Sequence, residues 1–324
     1  MFTEIGKSVA PHLKRLIPLM LSAPAGILLL VAAAAMSGIG HRWVDILAQF
    51  VAPALGVAVV LTLVALLLRQ VHGAVAYGVA VLVLMIAVWP QWGPVRGVAR
   101  PDAPVVRLYS ANLWARNTDV DAITRSIADA DADIVLLIEL GDAPAARLDQ
   151  VLAGYPHRIV MPRVDRSGGA ARSVIASRYP LTAIADVADG LQDVAAVART
   201  PIGHLNVVGV HLTRPWPFQY QWGQISQVQA LAAVRAGLTG PVIVAGDFNS
   251  VSTGRIGRQL RAEVGLSPAP GWPGTWPAAA PSIMGLTIDQ VYRSPELAFV
   301  SRRLGRPTGS DHRPVITEFT LAAD

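Results

Sequence analysis

The sequence predicts two fused parts: a membrane anchor of three apolar α-helices and, after it, one α/β or α+β domain. Three observations carry this. Of 324 residues, 52% are hydrophobic and only 15% charged, against about 25% charged in average soluble domains, and mean hydropathy is +0.44. Long uncharged runs fill the N-terminal part. Beyond residue 105 the pattern changes to short apolar strands alternating with helical spacings.

Residues 16–39 form a 24-residue run without a charge, 46–68 a 23-residue run with Gln49 as its strongly polar member, and 73–89 add 17 more. Roughly 20 apolar residues cross a bilayer, so transmembrane helices are expected over about 16–39, 46–68 and 72–92. Lys14 and Arg15 before the first run, with Ala33 to Ala35 within it, resemble a signal peptide. The run exceeds the roughly 7–15 residues of a signal core, and two further runs follow, which favours a retained anchor. Lys7, Lys14, Arg15 and Arg69 flank one side of the spans, and Arg42, Arg96 and Arg100 the other. The positive-inside bias then puts the N-terminus inside and the C-terminal domain outside the cytoplasm, on a multi-pass protein of the plasma (inner) membrane. Trp89 and Trp92 suit an aromatic belt at the outer interface. Residues 93–103, rich in Pro and Gly, read as a short stiff linker.

The domain from 104 to 324 follows. Strands are expected at 105–110, 134–138, 173–177, 205–210, 242–245, 288–292 and 315–319. Val120, Ile123 and Ile127 recur at helical spacing, and 226–236 reads as a helix between two strands. A stretch of this length suffices for one domain with a substantial core.

Charge and cysteine content narrow the function. The first 100 residues hold seven basic and two acidic groups, leaving 20 of each in the remainder. The pI of about 10.0 therefore comes from the flanks of the apolar region, and the neutral domain lacks the broad basic footprint of a protein gripping DNA. The chain has no cysteine, which excludes disulfide-linked partners, thiolate catalysis and cysteine-ligated metals.

Acidic, amide and imidazole groups recur at the ends of the expected strands: Asn112, Glu139, His211, Asp247, Asn249, Asp289, Asp311 and His312. Ligands of open sheets bind beyond the carboxyl ends of strands, so these residues can converge across two hundred positions. Hard oxygen donors without thiolate suit magnesium or manganese. Taken singly, each has a plainer reading. Asp or Asn beside Gly or Ser is commonly a turn residue, and a histidine at a strand end is commonly structural. Glu139 closing an apolar strand leans toward function, because an unpaired buried carboxylate is costly. Arg163, Arg166 and Arg172 form a candidate phosphate patch, of which Arg172 is retained as a substrate contact. Trp216, Trp222, Trp272 and Trp276 lie in Pro- and Gly-rich loops.

The ordered set resembles the endonuclease/exonuclease/phosphatase superfamily, the fold of pancreatic deoxyribonuclease, neutral sphingomyelinases and inositol polyphosphate 5-phosphatases. The resemblance covers about residues 104–321 and rests on Asn112 in S-A-N-L, Glu139 in L-L-I-E, His211 in G-V-H-L, Asp247 and Asn249 in G-D-F-N-S, Asp289 in I-D-Q-V, and Asp311 and His312 in S-D-H-R-P-V. The strand R-S-V-I-A-S-R-Y-P from Arg172 also fits. Gln290 stands where many members carry His. The resemblance implies a four-layer α/β (α+β) sandwich, two mixed β-sheets flanked by helices, in a membrane-anchored subgroup.

It also implies roles. Glu139, with Asn112 and Asp311, would hold one or two divalent cations, Mg2+ or Mn2+, on a phosphate oxygen. His312, oriented by Asp289, would activate water or contact phosphate. Asp247 and Asn249 would position the nucleophile, and His211 would donate to the phosphoryl group. The expected function is a membrane-anchored phosphohydrolase cleaving a phosphodiester or phosphoanhydride, with lipid-linked phosphates attractive at the bilayer surface. The alternatives are a metal-dependent nuclease and a non-catalytic membrane binding or sensing module; the complete motif set speaks against the latter.

Overall fold

The computed structural model describes residues 23–162, 164–166, 169–184, 191, 193–215 and 221–323. The chain forms two compact units that divide between Pro90 and Gln91. Residues 16–22 of the first expected span, together with Arg163 and Trp216, lie outside the described residues, and so does the side chain of Arg166.

In the first unit the described helices are α1 (Ala23–Ser37), α2 (Arg42–Gln49), α3 (Val51–Leu67) and α4 (Val71–Trp92). Three continuous spans are not what the structure shows. Among the described residues one helix, the 22-residue α4, is long and apolar enough to cross a membrane. The count reaches two only if α1 and α2, bent 114° from one another, are taken as one broken span. The expected span at 46–68 is interrupted at Phe50, leaving the 17-residue α3. Pro53 explains the break. It lacks an N–H, and its ring clashes with the carbonyl four residues back, which is that of Gln49, the last residue of α2. Gly38 at φ +68° separates α1 from α2.

Among the described residues the second unit has thirteen strands: β1 (Val106–Asn112), β2 (Ile134–Leu140), β3 (His157–Val160), β4 (Val164–Arg166), β5 (Gly169–Ser177), β6 (Leu181–Ala183), β7 (Asp193–Thr200), β8 (Gly203–His211), β9 (Val242–Asp247), β10 (Ser267–Pro268), β11 (Asp289–Arg293), β12 (Leu297–Leu304) and β13 (Val315–Leu321). Its helices are α5 (Val120–Ala130), α6 (Asp142–Ala145), α7 (Leu148–Val151), α8 (Trp222–Ala236) and α9 (Arg255–Gln259). The first sheet runs β12-β13-β1-β2-β5-β3, with β4 on β5, and the second runs β10-β11-β9-β8-β7-β6. Each sheet contains one parallel pair, β1 with β2 and β8 with β9; the other pairs are antiparallel. Parallel neighbours need a crossover, supplied by α5 in one sheet and α8 in the other. Asp119 caps α5 by accepting from the Ala122 N–H at 2.9 Å, and Asp131 ends it in the left-handed region at φ +46°.

Packing follows from the strand pattern. Leu136 and Ile138 of β2 meet Val207, Ile243 and Val291 of the other sheet in a shared core. On the outer faces, Val135 and Leu137 pack under Ile123 and Ile127 of α5, and Val208 and Val244 under Val228 and Leu231 of α8. Strands covered on both faces read as continuous apolar runs, which is why β2 is I-V-L-L-I-E-L. Each such buried aliphatic contributes roughly 1.5–3 kcal/mol. The result is helix, sheet, sheet, helix: the four layers expected.

The segment expected to be a linker is bonded into this unit. The Phe299 N–H donates to Arg96 O at 2.8 Å, Arg100 N–H to Leu321 O at 2.9 Å and Ala323 N–H to Val98 O at 2.8 Å. Gly271 N–H donates to Gln91 O at 2.8 Å, and the rings of Trp92 and Trp272 lie 6.2 Å apart. Backbone groups near a sheet edge find partners, whatever the Pro and Gly content suggests.

Candidate active site

The two parallel pairs bring their carboxyl ends to one place. From the first sheet come Asn112, ending β1, and Glu139, next to last in β2. Glu139 sits at φ +53°, where the β2–β5 register slips between Leu137 and Leu140. The left-handed region costs a non-glycine residue about 1–2 kcal/mol, and a bulge of this kind re-aims a side chain. Its Oε2 accepts from the Ala115 N–H at 3.2 Å, and Oε1 lies 3.4 Å from His211 Nε2. Asn112 uses both ends of its amide: Nδ2 donates to Asp247 Oδ2 at 3.0 Å, and Oδ1 accepts from the Trp114 N–H at 2.9 Å.

The second sheet aligns three functional residues by register. His211 pairs with Asp247 across β8–β9, and Asp247 pairs with Asp289 across β9–β11. Gly246, at φ +136°, lets β9 lie close beside β8, since a Cβ there would stand 2.0 Å from Val210 O. Asp247 Oδ1 accepts from the Asn249 N–H at 2.8 Å, while Asn249 Nδ2 donates to Leu212 O at 2.9 Å. His312 arrives on the turn before β13. Its Nδ1 donates to Asp289 Oδ2 at 2.9 Å. Its Nε2 lies 4.0 Å from both Asp247 Oδ2 and Asp311 Oδ1.

Burial sets the charges. The imidazolium of buried His312 is opposed by desolvation, but the Asp289, Asp247 and Asp311 carboxylates outweigh it and raise the pKa to about 10. Burial also drives Asp247 upward, and the Asp289 and Glu139 charges add to this. The His312 cation and the Asn249 N–H oppose the rise, and the result is about 7. A buried carboxylate raised by neighbouring carboxylate charges, as Asp247 is, belongs to a set that a divalent cation relieves. One oxygen or nitrogen from each of Asp247, Asp289 and His312 lies within 4.8 Å of the others, a grouping able to hold an ion. His312 and Asp289 already satisfy each other, so the better-placed donors are the oxygens around Glu139, whose side chain is 22% exposed. The residues fit a hard cation.

The family model for the Endonuclease/Exonuclease/phosphatase family matches residues 109–312, most of the second unit. This chain belongs to that family. It is a hydrolase of the metal-dependent class that acts on phosphoester bonds. Among solved structures, an endonuclease/exonuclease/phosphatase from Beutenbergia cavernae is 20% identical over 68% of this chain and 72% of that one, with a TM-score of 0.54. An endonuclease/exonuclease/phosphatase from Bacteroides vulgatus is 16% identical over 67% of this chain and 99% of its own, also at 0.54. The human Nocturnin catalytic domain, solved with bound sulfate, is 18% identical over 68% and 94%, at 0.50. These likenesses speak to fold. No curated protein sequence matches the chain.

The structure thus brings together seven of the expected residues in one connected set: Asn112, Glu139, His211, Asp247, Asn249, Asp289 and His312. Asp311 joins at the rim, 48% exposed. Arg172 does not join them through any described contact; its Nη1 donates to Asp142 at 2.9 Å. Supporting residues emerge only in three dimensions. The Ser310 hydroxyl donates to Asn112 O at 2.9 Å and accepts from the His312 N–H at 3.1 Å. Trp276 Nε1 donates to Asp311 at 3.4 Å. Gln224 of α8 donates to Phe248 O at 3.0 Å. The serine before the Asp-His pair and Trp276 among the loop tryptophans were the legible hints.

Proposed function

We propose that this protein is a membrane-anchored, magnesium-dependent phosphohydrolase that cleaves a phosphodiester or phosphoanhydride, with a lipid-linked phosphate as the substrate class. The observation that carries the chemistry is the buried His312–Asp289 pair facing Asp247. Manganese would serve the same oxygen set. Glu139, with Asn112 and Asp311, would hold the cation, which would supply neutralisation of phosphate charge.

The chain's own groups divide the remaining work. His312 carries its proton at neutral pH, so its Nε2–H donates to a phosphoryl oxygen while Asp289 fixes the ring. Asp247, poised near neutrality, accepts a proton from the attacking water as the new P–O bond forms. Asn249 holds Asp247 in place through its backbone N–H. His211, between Glu139 and Asp247, donates toward the departing oxygen as its bond to phosphorus breaks. Positioning and charge account for most of such a rate enhancement.

Anchoring is supported by α4 and by the apolar α3, whose Leu63, Leu66 and Leu67 are exposed. With α4 as the crossing helix, Lys7, Lys14, Arg15, Arg42 and Arg69 precede it and Arg96 and Arg100 follow it, a bias that favours an extracytoplasmic active site. The balanced charge of residues 101–324 argues against a nuclease. The test is a panel on the purified protein with magnesium: plasmid DNA, a lipid pyrophosphate, a sphingomyelin-type diester and an inositol phosphate. A lipid substrate turned over in magnesium and lost in EDTA supports the reading. Turnover of DNA alone, or indifference to EDTA, overturns it. A reporter fused after residue 324 that is active only in the cytoplasm would reverse the topology.

A further inference from the structure

Beside the cluster, a pocket of about 410 Å³ opens where β2 meets α6 and α7, lined by Leu140, Ala145, Ala146, Leu148 and Val160, with the Asp142–Arg172 ion pair among its walls. Three features connect it to the chemistry. Leu140 follows Glu139 directly in the chain and stands in register with Arg172 on β5, so one short segment walls both pocket and carboxylate. Gly141 continues that segment against the loop above it: a Cβ would stand 2.1 Å from Ala115 O, and the same Ala115 supplies the N–H held by Glu139. The lining is aliphatic apart from the ion pair. It offers no aromatic platform for a base, and Val160 keeps 43% of its surface exposed at the mouth. Small-molecule sites occupy about 300–1,000 Å³. The pocket is open to solvent on one side, and its aliphatic walls suit an apolar occupant.

We propose that this pocket is the subsite for the apolar group esterified to the substrate phosphate, an alkyl or isoprenoid chain. The inference rests on the phosphohydrolase reading and names the substrate class within it. The chain's first carbons lie against Leu148 and Val160, while the phosphate stays with Glu139 and His312.

The experiment measures binding, so it does not depend on turnover. The full chain in nanodiscs with magnesium is titrated by 31P NMR with straight alkylphosphonates from methyl to hexyl. The dissociation constant should fall about fourfold per added methylene and level off once the pocket is full. Ala146→Phe fills the space from an exposed position. It should flatten the series while leaving methylphosphonate binding within twofold of wild type. Val160→Asp, at the mouth, should also flatten it. A flat wild-type series, or a variant series as steep as wild type, overturns the pocket. A steep series alongside a substrate panel with no magnesium-dependent hydrolysis would sustain the pocket and defeat the functional reading.

Discussion

The two walls of the active site differ in how much water they meet. On the first sheet Glu139 keeps part of its side chain exposed, holds a strained φ and takes one weak backbone donor. On the second, Asp247 and Asp289 are each about 2% exposed and lie in register on neighbouring strands. The wet wall keeps a charged oxygen open to an incoming ion. The dry wall tunes protonation, because only in low dielectric do Asp289 and Asp247 hold the His312 pKa near 10 against desolvation. On the proposed reading, ion binding falls to the first wall and proton management to the second.

That division can be broken. The largest effect should come from Asp289→Asn, which removes the charge orienting His312. Turnover should drop by about 10³–10⁴, as for orienting carboxylates elsewhere, with the magnesium dependence of the residual rate unchanged. A parallel shift in magnesium dependence would show that the dry wall also binds metal.

Glu139→Gln addresses the wet wall. Half-maximal activation should need at least ~10–100-fold more magnesium, the loss typical of removing even an outer partner of a metal. High magnesium should restore part of the rate. Wild-type activation by magnesium would remove Glu139 from the ligand set.

Asp247→Asn tests the tuning through stability in EDTA. Folded Asp247 keeps its proton up to about pH 7, whereas the unfolded side chain loses it near 3.8. Between those values the folded state binds more protons, so this group's contribution to stability falls as pH rises. From pH 4 to 7 the melting temperature of the variant should therefore gain on wild type, on the order of 5 °C. Magnesium should reverse the trend. A gap that does not change with pH would mean that burial leaves Asp247 untuned.

The smallest effect belongs to the rim. Trp276→Phe removes the indole donor to half-exposed Asp311, a bond worth about 1 kcal/mol, so kcat/KM should fall roughly fivefold or less. A loss rivalling that of Asp289→Asn would place Asp311 inside the dry wall.

Much of this was legible in the residue order. Strands built from V, I and L with a polar residue at the carboxyl end gave both the sheets and the positions of Asn112, Glu139, His211 and Asp247, because an apolar strand tolerates a polar group only where it leaves the core. The reading failed where a local signal competed with tertiary partners. Pro and Gly between residues 93 and 103 suggested a short stiff linker and gave no sign that Arg96, Val98 and Arg100 bond to the backbone of Phe299, Ala323 and Leu321. Hydropathy alone merged residues 46–68 into one span, and the clash of Pro53 with the Gln49 carbonyl divided it.

By itself, then, the sequence determined the apolar N-terminal part, the alternation of strand and crossover helix, and which polar groups stand at the strand ends that converge. These depend on side-chain polarity and short-range periodicity. The tertiary structure decided the rest: that His211, Asp247 and Asp289 share one register, that Glu139 turns outward at a bulge while its partners stay dry, and that Ser310 holds Asn112 and His312 together. Such facts depend on which strands pair and how much water each residue keeps. Contacts across two hundred residues leave no local trace.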